Sequence, residues 1–123
     1  MITEDYVSFE TAKLLKEKGF DFDYDCTTKQ YYPENPIDEC DPNGVYASTL
    51  QMAMKWLREN YNLHISLYKT SLGWAFEVFD ISVCDITGSK MIYGQGILSK
   101  EDYTSTYEEA CNKAIDYCIK NII

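Results

Sequence analysis

Histidine and arginine each occur once in the 123 residues, as His64 and Arg58, and proline three times, all between positions 33 and 42. A single histidine removes the multi-histidine ligand sets typical of zinc sites. It also leaves His64 as the only base for any Ser–His or Cys–His pair. Basic residues are few: 11 Lys+Arg face 20 Asp+Glu, for a formal charge of −9. Nucleic-acid binding draws most of its affinity from Lys and Arg on phosphates, so this balance argues against a nucleic-acid partner. Anionic membranes are disfavoured for the same reason. No apolar run nears the roughly 18 residues of a membrane span, and Met1-Ile2-Thr3-Glu4-Asp5 does not open a signal peptide.

Five cysteines are present, Cys26, Cys40, Cys84, Cys111 and Cys118, an odd number with no C-x-x-C pair. That usage predicts free thiols in a reducing cytoplasm rather than a disulfide framework. What is plentiful is apolar and aromatic matter, 46% and 15% of residues, enough for a folded core in one domain spanning 1–123. The acidity is uneven. Residues 1–46 carry 11 acidic and 4 basic side chains, and residues 47–123 carry 9 and 7. The acidic first part either meets a basic protein, imitates nucleic acid towards a protein that binds it, or is a solubilising surface.

The first helix is well punctuated. Ser8 stands as N-cap, Glu10 places negative charge in the first turn, and Gly19 ends it after Lys16-Glu17-Lys18. Phe9, Ala12, Leu15 and Phe20 form its apolar stripe. Residues 21–26 alternate polar and apolar, as a strand does. Asp21, Asp23 and Asp25 have the opening spacing of a calcium loop, but the later positions hold Cys26 and Tyr32 where glycine and a bidentate acid are needed. A short strand is predicted at Tyr31-Tyr32, then an acidic loop over 33–44 with Asp38, Glu39 and Asp41. That loop could hold a hard cation, although an irregular acidic loop is the simpler reading.

A second helix is predicted over about 49–61, with Ser48 and Gln51 spaced as a capping box. Leu50, Ala53, Met54, Leu57 and Tyr61 share one stripe. Met52 and Trp56 fall off it, four apart on another side of the helix, which makes them either a partner-contact patch or a surface covered by the chain's first half. Strands follow at 63–68, from 74 to 81 or beyond, and from 91, joined by turns at 71–73 and 87–89; together they predict an antiparallel meander. Gly94 and Gly96 permit a bulge or a close backbone approach. The last helix begins near Thr106, with Ser105/Glu108 or Thr106/Glu109 as capping box. Its stripe is Tyr107, Ala110, Cys111, Ala114, Ile115, Cys118 and Ile122.

No constellation forms an enzyme signature. His64 has no nucleophile elbow near it, with Cys84 its only thiol neighbour on an adjacent strand. Gly94-Gln95-Gly96 lacks the rest of a dinucleotide or phosphate loop. Glu77 with Asp80 or Asp85 has no identified cleft. No catalytic residue, cofactor or metal is expected.

Two resemblances bear on this reading. From Ser48 onward the order helix, three antiparallel strands, helix is similar to that of double-stranded-RNA-binding domains, and Gly94-Gln95-Gly96 before the last helix adds to the likeness. That family uses lysines at the start of its last helix, where this chain has Glu108 and Glu109. Separately, Ile2-Thr3-Glu4-Asp5-Tyr6-Val7-Ser8-Phe9-Glu10, Leu14-Leu15-Lys16-Glu17-Lys18-Gly19-Phe20-Asp21 and the run from Thr49 to Glu59 resemble a family of small proteins encoded by phages and prophages of Bacteroides-type bacteria. Gly73-Trp74 and Tyr107-Glu108-Glu109-Ala110-Cys111 with Ile115 extend the similarity, which covers most of the chain except roughly 22–46. It implies a setting, a mobile element in a bacterial cytoplasm, and no mechanism.

The sequence therefore predicts an α+β domain, an antiparallel sheet of three to five strands with three helices. As function it points to a non-enzymatic accessory protein that binds a host or phage protein. The candidate contacts are Met52, Trp56, Asp21, Asp23, Asp25, Asp38, Glu39 and Asp41. A nucleic-acid-binding module, a small-ligand binder or enzyme, and a homo-oligomer pairing through a meander edge are the rival readings.

Overall fold

A computed structural model describes residues 5–20, 30–31, 36–37, 45–46, 48–85, 88–94 and 103–123. It is an α+β fold of three helices and a three-stranded antiparallel sheet, with a smaller ladder beside them. Helix α1 is Phe9–Glu17, α2 is Leu50–Tyr61 and α3 is Tyr107–Asn121. The small ladder is β1 (Gln30–Tyr31), β2 (Pro36–Ile37) and β3 (Val45–Tyr46). The main sheet is β4 (Leu63–Thr70), β5 (Gly73–Asp85) and β6 (Gly88–Gly94).

Helix α1 starts and stops where its local chemistry directs. The Ser8 side chain accepts from the Thr11 N–H, and Gly19 takes φ +85° just past the end, a conformation that costs glycine little. Helix α2 is capped one residue later than the capping-box spacing predicts. The Thr49 hydroxyl, not that of Ser48, accepts from the Met52 N–H. Ser48 is buried, its hydroxyl donates to the Thr49 carbonyl, and its own carbonyl accepts from Val7 N–H. With its hydroxyl and its carbonyl both engaged in this way, Ser48 leaves the cap to its neighbour. At the other end Asn62 adopts the left-handed conformation (φ 56°) and its N–H donates to the Leu57 carbonyl. Of the two caps open for α3, Thr106 is the one used, accepting from Glu109 N–H at 3.1 Å.

The sheet runs in the order β4-β5-β6, all antiparallel. Strands β4 and β5 pair without interruption from Leu63↔Asp80 to Thr70↔Gly73. The pairing of β5 with β6 slips twice. Val78 opposes Tyr93 while Phe79 opposes Met91, so the extra residue is Ile92. Gly94 is instead a point of close approach: a Cβ there would lie 2.8 Å from the Met91 sulfur. Beyond the end of β6 the free side of β5 is taken by Thr104, whose N–H and carbonyl exchange hydrogen bonds of 3.0 and 2.8 Å with Trp74.

One core joins all three helices to the sheet. It contains Val7, Ala12 and Leu15 at the start of the chain, and Leu50, Ala53, Met54 and Leu57 from α2. Leu63, Ile65, Phe76 and Val78 come from the sheet, and Cys111, Ala114, Ile115, Cys118 and Ile119 from α3. Tyr61, expected in the α2 stripe, is instead exposed at the helix end. Helices α1 and α3 lie side by side and run the same way: Ser8 bonds Asn112, Thr11 bonds Asp116 and the Lys18 ammonium reaches the Ile123 carbonyl.

The loop expected over 33–44 contains β2, which pairs with β1 while β1 pairs with β3 on its other side. Proline is tolerated there because β2 is an edge strand, whose N–H side need not join the ladder. The strand expected over 21–26 lies outside the described residues. No helix among them is long and apolar enough to cross a membrane.

Candidate binding surface

An open groove of about 450 Å³ separates the chain's first described segment from α3. One wall is Asp5, Tyr6 and Ser8, held by hydrogen bonds from Val7 N–H to Ser48 and from Leu50 N–H to the Asp5 carbonyl. The other wall is Glu108, Glu109, Asn112, Lys113 and Asp116, with Leu50 contributing apolar surface. Positions 108, 112 and 116 recur every four residues, so helical geometry sets them on one face of α3. Asn112 ties the two walls together. Its Oδ1 accepts from Ser8 N–H at 2.9 Å and its Nδ2 donates to the Ser8 hydroxyl at 3.3 Å.

The groove is predominantly negative, with four carboxylates against Lys113. Two of the four are engaged. Asp116 pairs with Lys120 at 2.9 Å and accepts from the buried Thr11 hydroxyl at 3.4 Å, and Glu109 accepts from the Ser105 hydroxyl at 3.2 Å. Asp5 and Glu108 have no ion-pair partner among the described residues. Glu108 and Glu109 also complement the positive end of α3 from its first turn.

Met52 and Trp56 are set apart by the tertiary structure. Met52 is 38% exposed near the start of α2, two residues from the groove-lining Leu50. Trp56 is half-buried against the core. Its indole meets the Phe20 ring edge-on at 5.3 Å and the Tyr61 ring at 5.1 Å. The other proposed contacts, Asp21, Asp23, Asp25, Asp38, Glu39 and Asp41, lie outside the described residues.

Among the described residues, the thiols and the histidine sit elsewhere. The Cys111 thiol is fully buried 3.5 Å from the Met54 sulfur, and Cys118 is buried two turns further along the same face of α3. Burial pushes the Cys111 thiol up to about 12, with the Glu108 charge adding to it, and burial alone does the same for Cys118. Such thiols behave as small hydrophobes rather than nucleophiles. His64 is exposed on β4 opposite Phe79, on the sheet face away from the helices.

Sequence reasoning noticed Glu108 and Glu109 only at the helix start and did not single out Asp5, Asn112 or Asp116. The four-residue recurrence along α3 was the available signal. Its facing wall, more than 100 positions away, was not visible in it. Comparisons with models of known families, with curated proteins and with solved structures find no match to this chain.

Proposed function

We propose that this chain is a non-enzymatic accessory protein of a phage or prophage, acting in the bacterial cytoplasm by binding a host or phage protein. The observation that carries the binding reading is the groove between Asp5 and Glu108. It is wide-mouthed, negative, floored by Leu50, and close in sequence to the exposed Met52. A basic segment of a partner suits it: Lys or Arg heads meet the Asp5 and Glu108 carboxylates while an apolar side chain reaches Leu50 and Met52. The phage setting rests on the sequence resemblance alone.

The test is capture of partners by tagged protein from nuclease-treated bacterial lysate, with Glu108→Lys and Met52→Ala alongside. One protein retained near-stoichiometrically by the wild type, and lost with folded variants, supports the proposal. An identical set of proteins on wild type and both variants refutes the groove as the contact. Trp56 is left intact in this test because it packs against Phe20.

The order α2, β4, β5, β6, α3 supports a second reading, a module for duplex nucleic acid. Against it stand Glu108 and Glu109 in the first turn of α3, where phosphate contacts would need lysines. Absence of binding to duplex RNA at low salt, where screening is weakest, removes it.

A further inference from the structure

The exchange of both Trp74 backbone bonds with Thr104 fixes which way every backbone group of β4 points. Trp74 bonds away from β4, so its neighbour Lys69 also bonds away from β5, and by alternation so do Leu67, Ile65 and Leu63. The bond from Ile81 N–H to the Asn62 carbonyl confirms the phase at the other end. Four residues thus present their N–H and C=O groups along the outer edge of β4, with no partner among the described residues. The edge is straight over eight residues, with no proline, glycine or bulge, whereas the ladder of the opposite edge strand, β6, is broken at Ile92.

We infer that a second copy of this chain pairs with β4, antiparallel, about a two-fold axis through Ser66. Three features of the strand select a second copy. First, the Ser66-centred register sets Leu63 against Lys69 of the other copy and Ile65 against Leu67. It is the symmetric register that pairs all four outward residues, and registers centred on Ile65 or Leu67 leave one unmatched. Second, the same register keeps each face matched. Ile65 and the half-buried Leu67 extend the apolar face under the helices, and His64 opposes Tyr68 on the outer face. Third, β4 carries no carboxylate in a chain of net charge −9, so this strand adds none of the like-charge repulsion that acts elsewhere. Its one permanent charge, Lys69, falls at the two far ends of the joint, roughly 20 Å apart at about 3.3 Å per residue and beyond the Debye length.

Sedimentation equilibrium of the full chain, with residue-resolved amide exchange, tests this. The expected mass rises with concentration towards twice the 14.3 kDa of the chain. In the dimer the amides of Ile65, Leu67 and Lys69 slow with concentration, while those of Ser66, Tyr68 and Thr70, bonded to β5, are protected throughout. Ser66→Lys brings two ammonium groups face to face across the axis but stands beside Glu77 within one copy, so it is expected to weaken dimerisation at least tenfold with unchanged circular dichroism. Lys69→Pro removes an outward N–H without touching the β5 ladder and is expected to weaken it as well. A mass of one chain at all concentrations overturns the inference. So does a dimer whose outward β4 amides exchange freely, or one indifferent to both substitutions. Should either variant fail to fold, the wild-type amide pattern decides.

Discussion

Alanine at Gly73 measures how firmly the segment before α3 is fastened to the sheet. Gly73 has φ +140°, a region closed to most side chains, and a Cβ there would lie 2.6 Å from the Thr104 carbonyl oxygen and 3.1 Å from Tyr103 Cβ. The backbone strain is worth about 1–3 kcal/mol. Relief of the clash requires Thr104 to retreat, which loosens its two hydrogen bonds with Trp74, each worth about 1 kcal/mol. The expected loss is therefore about 3–5 kcal/mol, a large share of the roughly 5–15 kcal/mol that stabilises a domain. At about 3 °C per kcal/mol for a chain of this size, the melting temperature falls by about 10–15 °C. Gly19→Ala is the matched control. It also has positive φ, +85°, but nothing lies within 4 Å of the added methyl. Its cost is the left-handed backbone alone, about 1–2 kcal/mol. Thermal and urea denaturation of both variants give the comparison. If Gly73→Ala loses no more than Gly19→Ala, the contact with Thr104 does not restrain the segment and the reasoning fails.

Met52 and Trp56 should separate in stability measurements: Trp56→Ala is expected to cost about 2–4 kcal/mol through lost packing on Phe20 and Tyr61, and Met52→Ala less than about 1 kcal/mol, both read from urea midpoints. Ile115→Ala, fully buried between helix and sheet, is expected to cost about 2–5 kcal/mol in the same assay. Cys111 and Cys118 should resist thiol reagents in the native protein at pH 8 and react fully in denaturant. Because both folded pKa values are raised to about 12, above the unfolded value near 9, their stabilising effect is complete below about pH 8.5 and is lost as pH rises towards 12. Alanine at both positions should flatten part of the alkaline fall in the urea midpoint. Thr106→Ala removes the cap of α3 and is expected to cost about 1 kcal/mol, visible as a lower melting temperature.

The helices and the meander were legible because their signals are local. Ser8, Thr106 and Gly19 act on backbone groups within a turn, and the stripes of α2 and α3 repeat within the helix itself. Where two adjacent hydroxyls competed, as with Ser48 and Thr49, the choice was made by Val7, some forty residues upstream. Strand β2 was hidden for a related reason. Pro36 reads as a strand breaker until β1 supplies the neighbour that leaves it on an edge.

The sequence alone determined most of the apolar stripes of the helices, their approximate bounds, the antiparallel meander and an excess of negative charge. Each of these depends on residue type and on spacings of two to four positions, over which steric and hydrogen-bonding preferences act directly. Only the tertiary structure decided which polar surfaces face one another and which apolar residues stay in water. The groove exists because Ser8 and Asn112, 104 positions apart, meet across parallel helices. Phe20 covers Trp56 while Met52, one turn away, remains exposed. The outer edge of β4 is marked by the pairing of Trp74 with Thr104 on the far side of the next strand. Contacts of that range follow from how whole elements pack, and a periodicity within one element carries no record of its neighbour.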